Sequence, residues 1–260
     1  LAARVEQADI AMADLYAGDR SVQINGTARG PASSALAIIM ASPLKNGRAA
    51  RLAKVDIDGE LEVLLEMDLA LFAGGERQVL GQVHFAGNRI DARQQNLALD
   101  DVVGTVSFTR DDWYGKDLTA NFAGVPVGVI LNGGLDDPNY DSEIRLRGTT
   151  AAAQFFQSLT HTAPSLHTWL NGHGALAAVS GAIAWQTVLT LPSEKIDRPS
   201  LPGRLRFESS LDGVTVNLPE PLRKAAREQI PLVIEMEFGA AAMQPVRIDY
   251  GDIVDAEILS

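Results

Sequence analysis

A long run of alternating apolar and polar residues, from Val79 to Leu131, organises the chain. Side chains of a β-strand point alternately to the two faces of a sheet, so this pattern predicts short strands with one apolar face. The connections are too short for crossover helices, so neighbouring strands are expected to pair antiparallel. The turn signals between them are Ala86-Gly87-Asn88, Asp100-Asp101, Asp111-Asp112 and Gly124.

The same alternation predicts further strands on both sides of this run. They lie within residues 1–29, from Asp56 to Phe72, and at 203–207, 230–238 and 246–250. Asp212-Gly213, between apolar residues, is a hairpin signal. Helices are predicted near 31–42, with Pro31 at the first helical position, near 150–169, and near 219–229, with Lys224 on its outward side.

Matched residues indicate an internal duplication. Each pair is 122 residues apart: Gly26 with Gly148, Gly59 with Gly181, Leu69 with Leu191, and Gly81 with Gly203. We therefore expect two β-rich repeats of about 122 residues that share one continuous sheet. The first spans residues 1–131, with the helix near 31–42. The second spans residues 132–260, with the other two helices.

Composition excludes several classes of function. The net charge of −11 argues against a nucleic-acid partner, because phosphate binding needs clustered Lys and Arg. With no cysteine, disulfides and thiolate metal sites are excluded. The longest apolar run is far shorter than the roughly 20 residues of a membrane span, so any membrane anchor is expected outside this sequence.

Metal and catalytic motifs are weak. His161, His167 and His173 are six residues apart and do not share a helix face, so no metal site is predicted. The segment 137–143 places oxygen atoms at alternate positions, as a calcium loop does, but also fits a solvated turn. Carboxylate pairs at Asp111-Asp112 and Glu235/Glu237 have no partner nucleophile. We therefore predict no catalytic residues and no cofactor, and a glycan-active enzyme stays the least supported alternative.

The apolar strand faces allow two interpretations. They form the core of a closed β-sandwich if a second sheet covers them. They form an apolar trough if the sheet curls and stays open, and exposed apolar surface of that size marks a binding site. Periodicity alone does not separate these two structures.

Several segments resemble the YhdP proteins, which are large AsmA-like envelope proteins of Gram-negative bacteria. The most specific match is Asn217-Leu218-Pro219, Pro221-Leu222-x-Lys224-Ala225-Ala226 and Ile230-Pro231-Leu232. Leu176–Leu191, with Gly181 and Trp185, is similar to the strands that precede that segment. The segments 82–88, 104–108 and 120–128 resemble the family's hairpins.

The resemblance implies a mainly β protein with a few short helices (α+β), whose elongated, curved antiparallel sheet forms an open apolar groove. It also implies a periplasmic segment of an inner-membrane-anchored protein that reaches toward the outer membrane and transports phospholipid without catalysis. The expected partners are phospholipid acyl chains and neighbouring repeats of the same longer chain. A β-sandwich interaction or envelope-assembly module without lipid cargo is the alternative.

The residues expected to line such a groove are the larger apolar side chains of the alternating strands. They are Leu65, Met67, Leu69, Val83, Phe85, Val106, Phe108, Phe122, Val127, Val129, Trp185, Leu205, Phe207, Ile234 and Met236. Some of them are instead expected to pack under the helices, and the sequence does not sort the two groups.

Overall fold

The computed structural model describes residues 4–13, 21–41, 55–72, 77–92, 97–162, 168, 171–172, 174, 176–193, 201–238 and 245–259. The strands up to residue 133 are β1 (Arg4–Ala13), β2 (Ser21–Pro31), β3 (Asp56–Asp58), β4 (Glu60–Ala70), β5 (Arg77–Ala92), β6 (Leu97–Thr109), β7 (Trp113–Phe122) and β8 (Val125–Gly133). The later strands are β9 (Tyr140–Ala151), β10 (Val179–Pro192), β11 (Gly203–Ser209), β12 (Val214–Val216), β13 (Leu232–Phe238), β14 (Pro245–Tyr250) and β15 (Val254–Leu259). The helices are α1 (Ala32–Ala41), α2 (Ala152–Thr162) and a 3-10 turn at Leu176–Ala178.

The fifteen strands of the described ranges belong to one open antiparallel sheet. Their order is β1-β2-β4-β5-β6-β7-β8-β9-β10-β11-β13-β14-β15, with β3 paired to β5 and β12 paired to β10. Consecutive strands are therefore mostly neighbours, as short connections require. The predicted mainly β class with a few short helices is confirmed.

The chain divides into two compact units. The first consists of Leu1–Arg93, Ala98–Ala120 and Ile130–Gly134, and the second of Gln94–Leu97, Asn121–Val129 and Leu135–Ser260. In both units a strand leads into a helix and then pairs with a later strand: β2 with β4, and β9 with β10. The registers differ, because Gly26 faces Leu65 whereas Gly148 faces Trp185, whose counterpart at an offset of 122 residues is Val63. The duplication stays a prediction.

Two of the four predicted turns are wrong. Ala86-Gly87-Asn88 lies inside β5 and Asp100-Asp101 lies inside β6. Gly87 (φ +94°) and Asp101 (φ +51°) have positive φ values, so the turn signals mark local distortions of continuous strands. The predicted turns at Asp111-Asp112 and at Gly124 separate β6 from β7 and β7 from β8, and are confirmed.

The first two predicted helices are confirmed in place, with corrected starts. Pro31 is the last residue of β2 and pairs with Glu60, so α1 begins one residue later than predicted. Thr150 and Ala151 belong to β9, so α2 begins at Ala152. The predicted end of this helix, at Trp169, lies outside the described residues.

The helix predicted near 219–229 is wrong. Lys224 pairs with Val216 through two backbone hydrogen bonds of 2.9 and 3.0 Å, so its N–H is not available to a helical turn. The hairpin predicted at Asp212-Gly213 is also wrong, because β12 pairs with β10 and not with the preceding β11. Asp212 and Gly213 precede β12 as predicted, but β12 pairs with β10 instead of folding back on β11.

Candidate functional site

An apolar face crosses five strands of the first unit. Cross-strand register aligns Ile10 of β1, Ile24 of β2, Met67 of β4 and Val79 of β5 in one row. Cross-strand partners project to the same side of a sheet. We call the set that shares this side the first apolar face. Its members are Val5, Ile10, Met12, Val22, Ile24, Leu65, Met67, Leu69, Val79 and Phe108.

Much of the first apolar face lies open toward β1. Ile10 is 70% exposed, Val5 61% and Met12 48%, whereas Val79 is only 7% exposed. Leu65, Met67 and Phe108 are half-buried and pack against Val79. Exposed large aliphatic side chains along β1, beside half-buried ones on β2 and β4, are typical of a surface that binds an apolar ligand or partner.

The opposite side of the same strands is mostly polar, although Leu64 and Leu80 are also exposed there. Arg29 of β2 binds Glu62 of β4 at 2.9 Å. The hydroxyl of Thr105 lies 3.1 Å from Nδ1 of His84. This side therefore suits water, and the first unit presents two chemically different faces.

One end of the apolar side in the first unit is covered. Helix α1 packs on β2, β3 and β4, and Leu61 and Phe85 near it are 4% and 6% exposed. Val83 is also buried. Two candidates, Val83 and Phe85, thus lie in the interior, apart from the exposed end with Leu65, Met67 and Leu69.

The second unit has a corresponding apolar side. Register aligns Leu189 of β10, Leu205 of β11 and Met236 of β13 in one row, and Phe207 with Ile234 in the next. We call the set of Trp185, Leu189, Leu205, Phe207, Ile234, Met236 and Phe238 the second apolar face. Leu205, Met236 and Phe238 are half-buried, whereas Trp185, Phe207 and Ile234 are buried.

Helix α2 covers the buried end of the second apolar face. The ring of Phe155 stacks on Phe207 at 4.6 Å between centroids and lies 5.6 Å from the ring of Trp185. Phe156 and Phe122 complete this aromatic cluster, with Phe122 6.4 Å from Trp185. Two candidates, Trp185 and Phe207, therefore pack against helix α2, and a third, Phe122, is half-buried and packs against Trp185.

Charged side chains occupy the opposite side of the second unit. Arg206 forms ion pairs with Glu235 and, at 2.6 Å, with Glu208. These bonds, the one to Glu208 above all, raise the pKa of Arg206 above its ordinary value. Glu237 lies 3.9 Å from Arg204. Glu235 and Glu237, weighed above as a catalytic pair, thus each lie beside an arginine.

The remaining candidates are buried. Val106, Val127 and Val129 are 9%, 4% and 3% exposed. Residues that sequence reasoning missed are Val5, Ile10, Met12, Val22 and Ile24, which open the first apolar face toward β1. Their alternation is visible in the sequence, but a bulge between Val5 and Gln7 interrupts its period.

The segment 137–143 forms a turn closed by its own carboxylate. Oδ1 of Asp137 accepts hydrogen bonds from the backbone N–H groups of Asn139 (2.7 Å) and Tyr140 (3.0 Å). Among the described residues, no group of three His, Cys, Asp or Glu side chains has the spacing of a metal site. His167 and His173 lie outside those residues. Within the same ranges, no helix is long and apolar enough to cross a membrane.

Comparison with known proteins gives a family and one curated relative. The chain is 23% identical over 218 residues to the intermembrane phospholipid transporter YhdP of Escherichia coli (strain K12). The match covers 82% of this chain and 16% of the relative, so the chain spans about a sixth of that protein's length. No solved structure matches. The family described as YhdP protein matches residues 1–259, and the chain therefore belongs to the YhdP family.

Proposed function

We propose that this chain is a segment of a phospholipid transporter of the cell envelope and that it contacts lipid acyl chains with its apolar faces. The observation that carries the proposal is the exposed part of the first apolar face, where Ile10, Val5 and Met12 stay 48% to 70% exposed. The Escherichia coli relative is an intermembrane phospholipid transporter, which suggests the chemical class of the cargo.

The energetics of such contact are favourable and unspecific. Removing one methylene group from water is worth about 0.8 kcal/mol, so an acyl chain laid along several aliphatic side chains is held without any polar contact. Apolar contact has no preferred direction, so a chain can slide from one row of side chains to the next. This mode of binding needs neither a catalytic group nor a cofactor.

Burial divides the candidate residues into two groups. We assign lipid contact to the half-exposed ends: Leu65, Met67, Leu69 and Phe108 in the first unit, and Leu205 and Met236 in the second. The buried candidates, such as Phe85, Trp185 and Phe207, hold the sheet and its helices in place.

The location and partners follow from the same proposal. The segment works in the periplasm, its polar sides face water, and other repeats of the longer chain extend the apolar path. An inner-membrane anchor belongs to another part of that chain. The relative's length supports this arrangement, because the matched region makes up only 16% of it.

A photocrosslinking experiment tests the proposal. The photoreactive residue p-benzoylphenylalanine replaces Met67, on the first apolar face, or Gln23, on the polar side of the neighbouring strand β2, in the full-length protein in cells. We expect phospholipid adducts at position 67 and a much weaker signal at position 23, detected by mass spectrometry. Equal labelling of both sides, or protein adducts in place of lipid at position 67, would favour an interaction module.

A further inference from the structure

Gly81 of β5 lies under the ring of Phe108. A Cβ atom built on Gly81 would fall within contact distance of three ring carbons of Phe108, too close for the two to coexist. Gly81 pairs with Leu65, so this missing Cβ would point to the first apolar face. Phe108 therefore lies flat against the strand, in a space that only glycine leaves empty.

The second unit repeats this arrangement. Gly203 of β11 pairs directly with Phe238 of β13, and a Cβ on Gly203 would collide with the Phe238 ring. Gly203 alternates in phase with Leu205, so this ring too lies on the second apolar face. Neither Gly81 nor Gly203 has a positive φ value, so the backbone itself would accept another residue at both positions.

We infer that Gly81 and Gly203 are positioning residues for the cargo, which set how far Phe108 and Phe238 project from the sheet. The inference rests on the proposed function, since it takes the half-exposed ends of the apolar faces as the acyl-chain surface. With glycine at these positions, each ring lies flat on the sheet and forms part of the surface on which an acyl chain would lie. With alanine, the Cβ forces the ring to rotate away from the strand, so that it projects into the space above this surface.

The lifted ring would occupy the volume that a lipid tail needs. The dispersion and hydrophobic gain of an acyl chain depends on continuous contact over several neighbouring side chains. A phenyl ring that projects from the apolar surface interrupts this contact locally. The effect is steric, so removing the ring should cancel it.

The test uses purified full-length protein with p-benzoylphenylalanine at Met67 or at Leu205, incubated with phosphatidylethanolamine vesicles. We expect Gly81→Ala to reduce lipid adducts several-fold at position 67 and to leave position 205 unchanged. The double variant Gly81→Ala/Phe108→Ala should recover most of the adducts at position 67. At position 205, Gly203→Ala should reduce the adducts in the same way, and the double variant Gly203→Ala/Phe238→Ala should recover most of them.

Gly128→Ala is the matched control, because a Cβ at Gly128 meets no atom within 4 Å. It should change neither reporter. The inference is overturned if Gly81→Ala lowers both reporters in step with a loss of folded protein, as a purely structural glycine would, or if it changes neither. If the parent protein yields no lipid adduct at either position, the proposed function fails first and the inference fails with it.

Discussion

Lys224 carries a charge into the interior of the second unit. Its side chain is 1% exposed, and Nζ donates hydrogen bonds to the backbone carbonyls of Val214 (2.7 Å) and Ala225 (3.1 Å). Lys224→Met keeps the aliphatic stem but leaves both carbonyls without this donor. We expect a loss of about 1–3 kcal/mol in unfolding free energy, measured by urea denaturation. Lys116→Met, at an exposed strand position, should change stability by less than about 0.5 kcal/mol.

The buried ammonium group also predicts a pH dependence. Burial lowers the pKa of Lys224 below its ordinary value of 10.5. Between the lowered value and 10.5 the unfolded chain binds more protons than the folded one, so this residue adds stability as pH rises through that window. The stability difference between the parent protein and Lys224→Met should therefore grow toward pH 10.5. A difference that stays constant or shrinks would contradict the burial of the charge.

Asn88 holds the distorted part of β5 to its neighbours. Its side chain is 2% exposed, Nδ2 donates to the carbonyls of Asp58 (3.0 Å) and Glu60 (2.9 Å), and Oδ1 accepts from the N–H of Ala86 (3.0 Å). Asn88→Ala should cost about 2–4 kcal/mol of unfolding free energy.

Asn88→Asp should cost more than Asn88→Ala at neutral pH, because a carboxylate beside two carbonyl oxygens has no proton to donate. This excess should shrink in acid, where the carboxyl group regains a donor. Asn25→Ala, at an exposed site on β2, is the control and should be nearly neutral. An equal cost for the alanine and aspartate variants at pH 7 would contradict the two donated bonds.

At the scale of elements, helix α2 is held to the sheet by aromatic packing. Phe155 is 3% exposed between Phe207, Trp185 and Phe156. Phe155→Ala should cost about 3–5 kcal/mol, because it leaves a cavity in this cluster. Hydrogen exchange should show lost amide protection in β9, β10 and β11. The first unit provides an internal control, since β2 and β4 should keep theirs.

Gln154→Ala is the matched helix variant. Gln154 is exposed and accepts a hydrogen bond from Thr150, so its loss should leave protection in β9, β10 and β11 almost unchanged. If both variants loosened these strands equally, the helix and not the aromatic cluster would be the stabilising contact.

The alternation of apolar and polar residues predicted most of the strands. Sequence patterns gave wrong predictions where contacts between distant parts of the chain determine the structure. The period-two pattern predicted the strands and their apolar sides, because a two-faced sheet imposes it directly. Helical spacing near 219–229 was misleading, because the backbone of Lys224 bonds to Val216 and its charge is buried with two carbonyls. Val216 and Val214 are eight and ten residues from Lys224 in sequence, too far to leave a local signal.

The sequence indicated on which side of the sheet the candidate residues lie, but not how deeply each side chain is buried. Alternation placed Met67, Phe85 and Trp185 on apolar faces, yet only the structure distinguishes exposed positions from those near helices. Helix cover depends on where α1 and α2 pack, which periodicity within a strand does not record. The close packing of the Phe108 ring on Gly81 likewise depends on a contact between strands.

At the scale of the whole molecule, the separation of apolar and charged sides recurs in both units. Ile24 and Met67 alternate with Asn25 and Glu66 in the first unit. Leu205 and Met236 alternate with Arg206 and Glu235 in the second. With a net charge of −11, the polar sides suit contact with water, and the apolar sides are the surfaces that we propose contact lipid.

Lipid contact at both apolar faces has a testable consequence: a charge placed on either face should lower phospholipid transport. Met67→Glu or Leu205→Glu places a carboxylate where an acyl chain would lie, which costs several kcal/mol when the charge is buried unpaired. Since about 1.4 kcal/mol corresponds to a tenfold change, each variant should lower phospholipid transport by roughly tenfold or more in cells with the full-length protein.

The double variant Met67→Glu/Leu205→Glu distinguishes one path from two separate binding sites. In a series path the resistances of the two blocks add, so the double variant should transport at least about half as much as the more strongly blocked single variant. With two independent routes, each single variant would lose only the share of its own route, and the double variant would lose most of the transport. Gln23→Glu and Gln186→Glu add the same charge to the polar sides of the two units and should leave transport unchanged. Single variants that each lose only part of the transport while the double variant loses most of it, or an equal loss in the polar-side controls, would refute transport along the apolar faces in series.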